Sequence, residues 1–223
     1  MALLTPLSLA EASALTAQFG LDLTGLEALS HGSVNSNFSL QTRDGRRYFA
    51  RLYEEQALAG AEVEVSLLAT LAEQGARVVA PLSTKAGARV LSHAGKPFAV
   101  FPWVDGDWLC LRKVTAAHCE SVGAELARVH LASEHVAQLG PGRFRPTDML
   151  QRLERVEREG HTRLGPAIAE VRALYDELLP QRDGSLPLGI CHGDFFRDNV
   201  LWQGAEIFGA AGLRERRLGQ LRL

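Results

Sequence analysis

The sequence predicts an α+β protein in two lobes, an antiparallel sheet lobe followed by a mainly helical one. Alternating apolar segments punctuated by turn signals fill roughly the first hundred residues, the composition shifts at Val104-Asp105-Gly106-Asp107, and helical periods dominate after it. This places an N-terminal lobe at 1–104 and a second lobe at 105–223. At 223 residues, 46% hydrophobic and 22% charged, the chain has enough apolar material to bury a core. Lys plus Arg number 24 against 26 for Asp plus Glu, so the formal charge of −2 exerts no overall pull toward nucleic acid or anionic lipid. The expected partner is a small molecule, with no nucleic acid and no membrane. Apolar runs fall short of the ~20 residues that span a bilayer, and MALLTPLSLAEAS lacks a basic start, so a cytoplasmic location is expected. Cys110, Cys119 and Cys191 form no CxxC pair and read as small buried hydrophobes.

Ser8-Leu9-Ala10-Glu11 has capping-box spacing, which predicts a first helix running to Phe19-Gly20. Residues 26–53 read as three strands, with small residues His31-Gly32-Ser33 between the first two and an Asp44-Gly45 turn between the second and third. Ala61, Val65, Leu68, Leu71 and Ala72 then share one helical face, with Gly75 as a stop. Further strands are expected over 77–82, 88–92 and 97–104. Beyond the composition shift, Thr115 caps a helix with Cys119, Val122, Leu126 and Val129 on its apolar face. Residues 148–157 and 166–179 repeat the helical pattern, and Leu188 to Cys191 starts a short strand. The basic tail at 214–217 reads as a solvated end.

The densest polar cluster is His192-Gly193-Asp194-Phe195-Phe196-Arg197-Asp198-Asn199, closed by Val200-Leu201-Trp202. A glycine permits a tight turn, the following Asp can accept a proton, and an Asn five residues later can return to hold a cation. One such residue alone is a turn former; the octet between two apolar segments points to chemistry.

HGDFFRDN resembles the catalytic loop HGDxxxxN of the aminoglycoside phosphotransferase and choline kinase superfamily, whose fold is the two-lobed protein-kinase fold. Within it the chain is similar to the homoserine kinases, through SVNSNF (33–38), Leu52-Tyr53-Glu54, TAAHCESVGAELARVHLA (115–132) and ICHGDFFRDNVLW (190–202). The resemblance implies ATP and Mg2+ as cofactors and transfer of phosphate to a small-molecule hydroxyl, that of homoserine, in threonine biosynthesis. It implies that Asp194 is the catalytic base, that His192 braces the loop and that Asn199 is a magnesium ligand. Such transfer depends on in-line positioning and cations against the γ-phosphate.

Nucleotide contacts are expected in the first lobe. Gly32 and Ser33, with Asn35 to Asn37, either form an ordinary hairpin loop or let backbone N–H groups approach an anion. No GxxxxGK[ST] segment occurs in the sequence, which excludes a P-loop as the phosphate cradle. Arg51 shares a strand face with Phe49 and Tyr53, and either meets an anion or runs its stem to the surface. Glu64 falls inside the apolar stripe of its helix, since Leu68 and Leu71 lie four and seven residues on, and an acid there suggests a partner such as Arg51. Adenine would meet the segment before the hinge. Pro102 has no N–H, so Trp103 or Val104 would donate. His118 and His130 read as core or surface residues, with His130 a candidate brace by resemblance.

Members of the superfamily continue past the NVLW-like strand to a second metal-binding Asp and further helices. Here no Asp follows Asp198, Ile207-Phe208 stands where that Asp would be, and Glu206 falls on the other strand face. The expectation is a C-terminally truncated chain, through a reading-frame shift near Ala205, with an incomplete helical lobe and little activity. Two alternatives are a kinase of another small alcohol and a catalytically silent nucleotide-binding remnant.

Overall fold

Ser8 caps the first helix as its spacing predicts. Its hydroxyl accepts the Glu11 N–H at 3.2 Å and the Glu11 carboxylate accepts the Ser8 N–H at 2.9 Å, satisfying two donors that a helix start otherwise leaves open. The computed structural model describes residues 5–29, 34–136, 146–160, 162–181, 188–191, 199–209 and 219–222. Helix α1 (Leu9–Ala17) leads through Gly20, at φ 78°, into strand β1 (Leu23–Leu29). Strands β2 (Ser36–Thr42) and β3 (Arg47–Leu52) follow, joined at Asp44-Gly45. Gly45 has φ 79°, a conformation that suits glycine at a tight hairpin, and Asp44 fixes the turn by accepting the Thr42 hydroxyl at 2.5 Å. Helix α2 (Leu58–Glu73) precedes the hairpin of β4 (Leu91–His93) and β5 (Lys96–Pro102). The five strands form one antiparallel sheet in the order β1-β2-β3-β5-β4.

Strand alternation gives this sheet two different faces. Phe38, Leu40, Ala50, Leu52, Phe98 and Val100 pack with Ala12 and Leu15 of α1 and with Phe19 in the turn after it. Tyr53, Ala99 and Phe101 pack with Ala61, Val65 and Leu68 of α2 on the other face. The predicted stripe of α2 is therefore its buried side, with Ala72 half-buried at its end.

Three strand expectations change. Residues 77–82 form no strand, because Pro81 offers no donor and the segment gains only the Leu82 N–H to Val100 C=O bond, 2.8 Å, against the sheet. The 88–92 strand shortens and shifts to β4, since Thr84 and Ala88 close a local turn first, the Thr84 N–H meeting the Ala88 C=O at 2.7 Å. Strand β5 stops at Pro102, two residues early, where the ladder runs out of a donor.

Helix α3 (Ala116–Ser133) is capped by Thr115, whose N–H donates to His118 Nδ1 at 3.2 Å. Its buried side comprises Glu125, Val129, Ala132 and Ser133. Cys119 is exposed, contrary to the expectation from its apolar stripe, because the first turn places His118, not Cys119, edge-on to Trp202 at 4.8 Å. Cys110 is exposed as well, in the loop before α3. The side chain of Cys191 lies outside the described residues.

Strands β7 (Leu201–Gln203) and β8 (Glu206–Gly209) form a hairpin that, with α3, belongs to the same compact unit as the sheet, Met1–Val136 with Phe195–Glu215. The second unit is Ala137–Asp194 with Arg216–Leu223. These units do not follow the 104/105 boundary, because backbone pairing draws the segment after β5 onto β7: Asp107 N–H donates to Trp202 C=O at 2.9 Å and Trp202 N–H returns to Asp107 C=O at 3.0 Å. In the second unit, helices α4 (Pro146–Arg158) and α5 (Gly165–Leu178) are joined by an Arg172–Glu157 pair at 2.8 Å. Strand β6 (Leu188–Cys191) there pairs antiparallel with β9 (Gly219–Arg222). The 214–217 stretch lies outside the described residues. None of the described helices is long and apolar enough to cross a membrane.

Gly106 sits where a side chain has no room. A Cβ there would come within 2.9 Å of Leu201 Cβ and 3.3 Å of the Trp202 backbone. Gly106→Val is expected to destabilise the chain by about 1–3 kcal/mol in urea unfolding, by overpacking. A change below about 0.5 kcal/mol would show that the 104–107 segment shifts freely.

Candidate active site

The α2-facing side of β3 carries Phe49 and Arg51 in alternation, with Tyr53 following. This face supplies an apolar wall and, within it, one cation. The Arg51 side chain is 7% exposed and that of Glu64 10%, and their closest N–O approach is 3.4 Å. The stripe position of Glu64 thus has the partner that its burial demands. Arg51 Nε also donates to Asn37 Oδ1 of β2 at 3.4 Å, and the guanidinium carbon lies 5.5 and 5.8 Å from the ring centres of Phe49 and Tyr53. Phe49 itself leans on Phe101 of β5 at 5.9 Å.

Glu64 accepts two further bonds, from the Tyr53 hydroxyl at 3.0 Å and from Gln56 Nε2 at 3.4 Å. Burial nonetheless outweighs Arg51 and these donors and holds the Glu64 carboxyl above its ordinary range. Burial, and then the neighbouring Glu64 charge, push the Tyr53 phenol up as well. The buried Oε1 of Gln56 has no hydrogen-bond partner among the described residues.

Beside this cluster stands a second carboxylate with the opposite bias. Glu54 accepts from Thr5 N–H at 3.0 Å and Thr5 Oγ1 at 2.9 Å, and also from the Ser36 hydroxyl and Lys96 Nζ. Burial raises its pKa, but Lys96, Ser36 and Thr5 together overcome that and hold it at about 2. The Glu54 N–H donates to Asn35 Oδ1 at 3.2 Å, so this network anchors the chain where it enters β2.

The site residues expected from sequence fall in three groups. Arg51 and Glu64 meet, with Asn37 beside them, and Asn35 is buried and bound to Glu54. Trp103 is engaged with its neighbours: its Nε1–H donates to Asp105 Oδ1 at 2.9 Å, and the Arg47 guanidinium lies 3.8 Å from its ring centre. Val104 is half-buried next to it, and Asn199 is buried just before β7. Ser33, His192 and Asp194 lie outside the described residues. The side chain of Glu206 is 75% exposed and pairs with Arg77 at 3.3 Å. In the sequence Glu54 stands out only through the segment that carries the resemblance and Gln56 not at all, since a strand end and a loop have no periodicity to expose a buried polar residue.

The donor set fits an anionic nucleotide. A buried guanidinium and an asparagine amide on one sheet face are groups that suit phosphate oxygens. For a divalent cation, the buried Asn199 offers a hard oxygen ligand. No cluster of three or more His, Cys, Asp or Glu occurs among the described residues.

Residues 25–210 match the model of the phosphotransferase enzyme family, and the chain belongs to that family. Two curated relatives are a homoserine kinase of Caulobacter vibrioides, 36% identical over 194 residues, and one of Mesorhizobium japonicum, 32% identical over 190. The alignments take in 83% and 84% of this chain, which spans 58% of the length of each relative. Among solved structures, a spectinomycin phosphotransferase in complex with ADP and spectinomycin superposes with a TM-score of 0.71 at 15% identity, covering 96% of this chain and 70% of that one. An amicoumacin kinase in complex with AMP-PNP, Ca2+ and amicoumacin gives 0.66 at 17%, covering 88% and 62%. These likenesses establish the two-lobed kinase-like α+β fold.

Because Glu54 is held at about 2 against an ordinary 4.5, its network stabilises the fold above that ordinary value and fades as pH falls toward 2. The expected contribution at neutral pH is on the order of 2 kcal/mol, discounted because Lys96 is partly open to solvent. Urea unfolding of the wild type and of Glu54→Gln should differ by that amount at pH 7 and converge between about pH 5 and pH 2. A pH-independent difference would rule the network out.

Proposed function

We propose that the protein transfers the γ-phosphate of ATP to a hydroxyl of a small molecule, with homoserine as the acceptor. The observation that carries this reading is the buried Arg51–Glu64 pair on the sheet face, in a chain of the phosphotransferase family. The homoserine kinase relatives support the acceptor, and the ADP and AMP-PNP complexes of the structural neighbours support the nucleotide.

In this reading Arg51 binds the α- and β-phosphates and Glu64 aims it, while Asn37 limits the swing of the guanidinium. Ser33 and Asn35 belong to the loop over the phosphates, whose exit is fixed by Glu54. Trp103 and Val104 offer backbone groups to adenine. Asp194 orients the acceptor hydroxyl and takes its proton as the oxygen bonds to phosphorus and the bond to the β-phosphate oxygen breaks, releasing ADP. His192 braces that loop. Asn199 would hold Mg2+, which when bound neutralises charge on the phosphate oxygens.

One observation favours a second reading, a nucleotide-binding protein without turnover: Glu206, the acidic residue of β8, is engaged by Arg77.

Thermal shift and calorimetry with ATP, with and without Mg2+, test the first step. ATP is expected to raise the melting temperature of the wild type and not of Arg51→Ala. ADP release then tests the second, with homoserine, choline and an amino sugar as acceptors. Homoserine-dependent release that Asp194→Asn reduces at least a hundredfold is the expected result. Release with another acceptor alone overturns homoserine, and ATP binding without release under any acceptor establishes the second reading.

A further inference from the structure

Helix α3 buries a second carboxylate that the chemistry above does not use. Glu125 is 1% exposed, although it lies on a helix whose other charged residues reach solvent. One oxygen accepts the backbone N–H of Arg77 at 2.5 Å, and the other meets the Arg128 guanidinium at 2.9 Å, one turn on. A buried carboxylate is retained only where it is fully bonded, and here its partner is main chain of another segment.

That segment is the tail of α2. After Glu73 the chain closes at Gly75, φ 86°, and the Ala76 N–H returns to Leu71 C=O at 3.0 Å, so Arg77 is rigidly tied to the helix that bears Glu64. The Arg77 side chain continues outward: its guanidinium donates to the Ile207 carbonyl of β8 at 2.8 Å and reaches the Glu206 carboxylate at 3.3 Å. Helix α3 meets the same hairpin through Ser121 Oγ, which donates to the Ala205 carbonyl at 2.8 Å. The hairpin partner of β8 is β7, and Asn199 lies two residues before β7.

We propose that Glu125 is a positioning residue that couples the Glu64-bearing helix to the Asn199-bearing segment, so that phosphate binding and cation binding occur at a fixed spacing. The proposal rests on the nucleotide reading above. Its logic is geometric. Glu125 ties α3 to the Arg77 backbone, the Arg77 side chain ties the same residue to β8, and Ser121 closes the triangle. ATP alone draws on the Arg51–Glu64 side. ATP with Mg2+ draws on both ends and depends on the spacing between them.

The readout is therefore the tightening of ATP binding that Mg2+ produces, measured by calorimetry on the whole chain. Glu125→Ala is expected to cut that tightening at least fivefold while leaving the affinity in EDTA within twofold. Glu125→Gln, which still accepts the Arg77 N–H, should recover most of it. Arg77→Ala, which keeps the backbone bond but severs the link to β8, should lose it, and so covers the case in which Glu125→Ala does not fold. Leu15→Ala, in the core on the opposite sheet face, should lower the melting temperature without touching the ratio. Equal losses with and without Mg2+ in Glu125→Ala, or no rescue by Gln, overturn the proposal. Absence of ATP binding by the wild type overturns the nucleotide reading instead. The coupling is then read by hydrogen exchange, where Glu125→Ala must speed exchange in 74–79 and 201–209 together, and speeding in only one of them overturns it.

Discussion

Burial of one charge organises the α2 side of the sheet. Glu64 falls in the stripe by which α2 packs on the sheet, so docking the helix takes a carboxylate out of water. An unpaired buried carboxylate is costly, and removing one partner of a buried pair costs about 3–5 kcal/mol. The sheet face opposite α2 and the loop after it must therefore supply donors, and they do so with Arg51, the Tyr53 hydroxyl and Gln56. The pair adds little net stability over an apolar contact, but it admits only one placement of α2 over β3. Asn37 reaches the guanidinium from the neighbouring strand, which extends that restraint to β2.

Two carboxylates ten residues apart in sequence illustrate how surroundings set charge. Glu54 is surrounded by an ammonium, two hydroxyls and a backbone N–H, and is held strongly acidic. Glu64 has one cation at 3.4 Å and deeper burial, and its carboxyl is held up. The first behaves as a fixed anchor for the entry into β2. The second is held up chiefly by its burial, which Arg51, Tyr53 and Gln56 only partly offset.

The segment after β5 shows a different kind of constraint, steric and main-chain. Gly106 lies against Leu201 with no space for a side chain, and Asp107 exchanges two backbone bonds with Trp202. Turn-prone composition there reads as a flexible link, yet the residues are sewn onto a strand that begins almost a hundred residues later. The hairpin of that strand is also held by Arg77 from the tail of α2 and by Ser121 of α3. Compactness therefore follows contact between distant stretches and does not respect the change in composition at 104.

Local features were legible in the sequence because each rests on short-range geometry. The Ser8–Glu11 cap, the Asp44-Gly45 hairpin and the stripe of α2 that takes in Glu64 follow from helix and strand periods within a few residues. The polar octet at 192–199 stood out, and with it a resemblance to a family, for the same reason. What the sequence concealed depends on distant contacts. Glu54 and Gln56 sit outside any periodic element, Cys119 is exposed because His118 takes the place beside Trp202, and 77–82 forms no ladder because Pro81 interrupts its donors. Glu125 lies between these cases. The stripe rule that singled out Glu64 applies to Val122, Glu125, Val129 and Ala132 equally well, but which main-chain N–H would answer the carboxylate was decided only when the tail of α2 folded against α3. The sequence by itself determined the elements that rest on a cap, a turn or a stripe, and the family its motifs resemble, since these are written in spacing. Tertiary structure decided which donors answer Glu54, Glu64 and Glu125, because a buried carboxylate takes its partners from whatever the fold brings within hydrogen-bond reach.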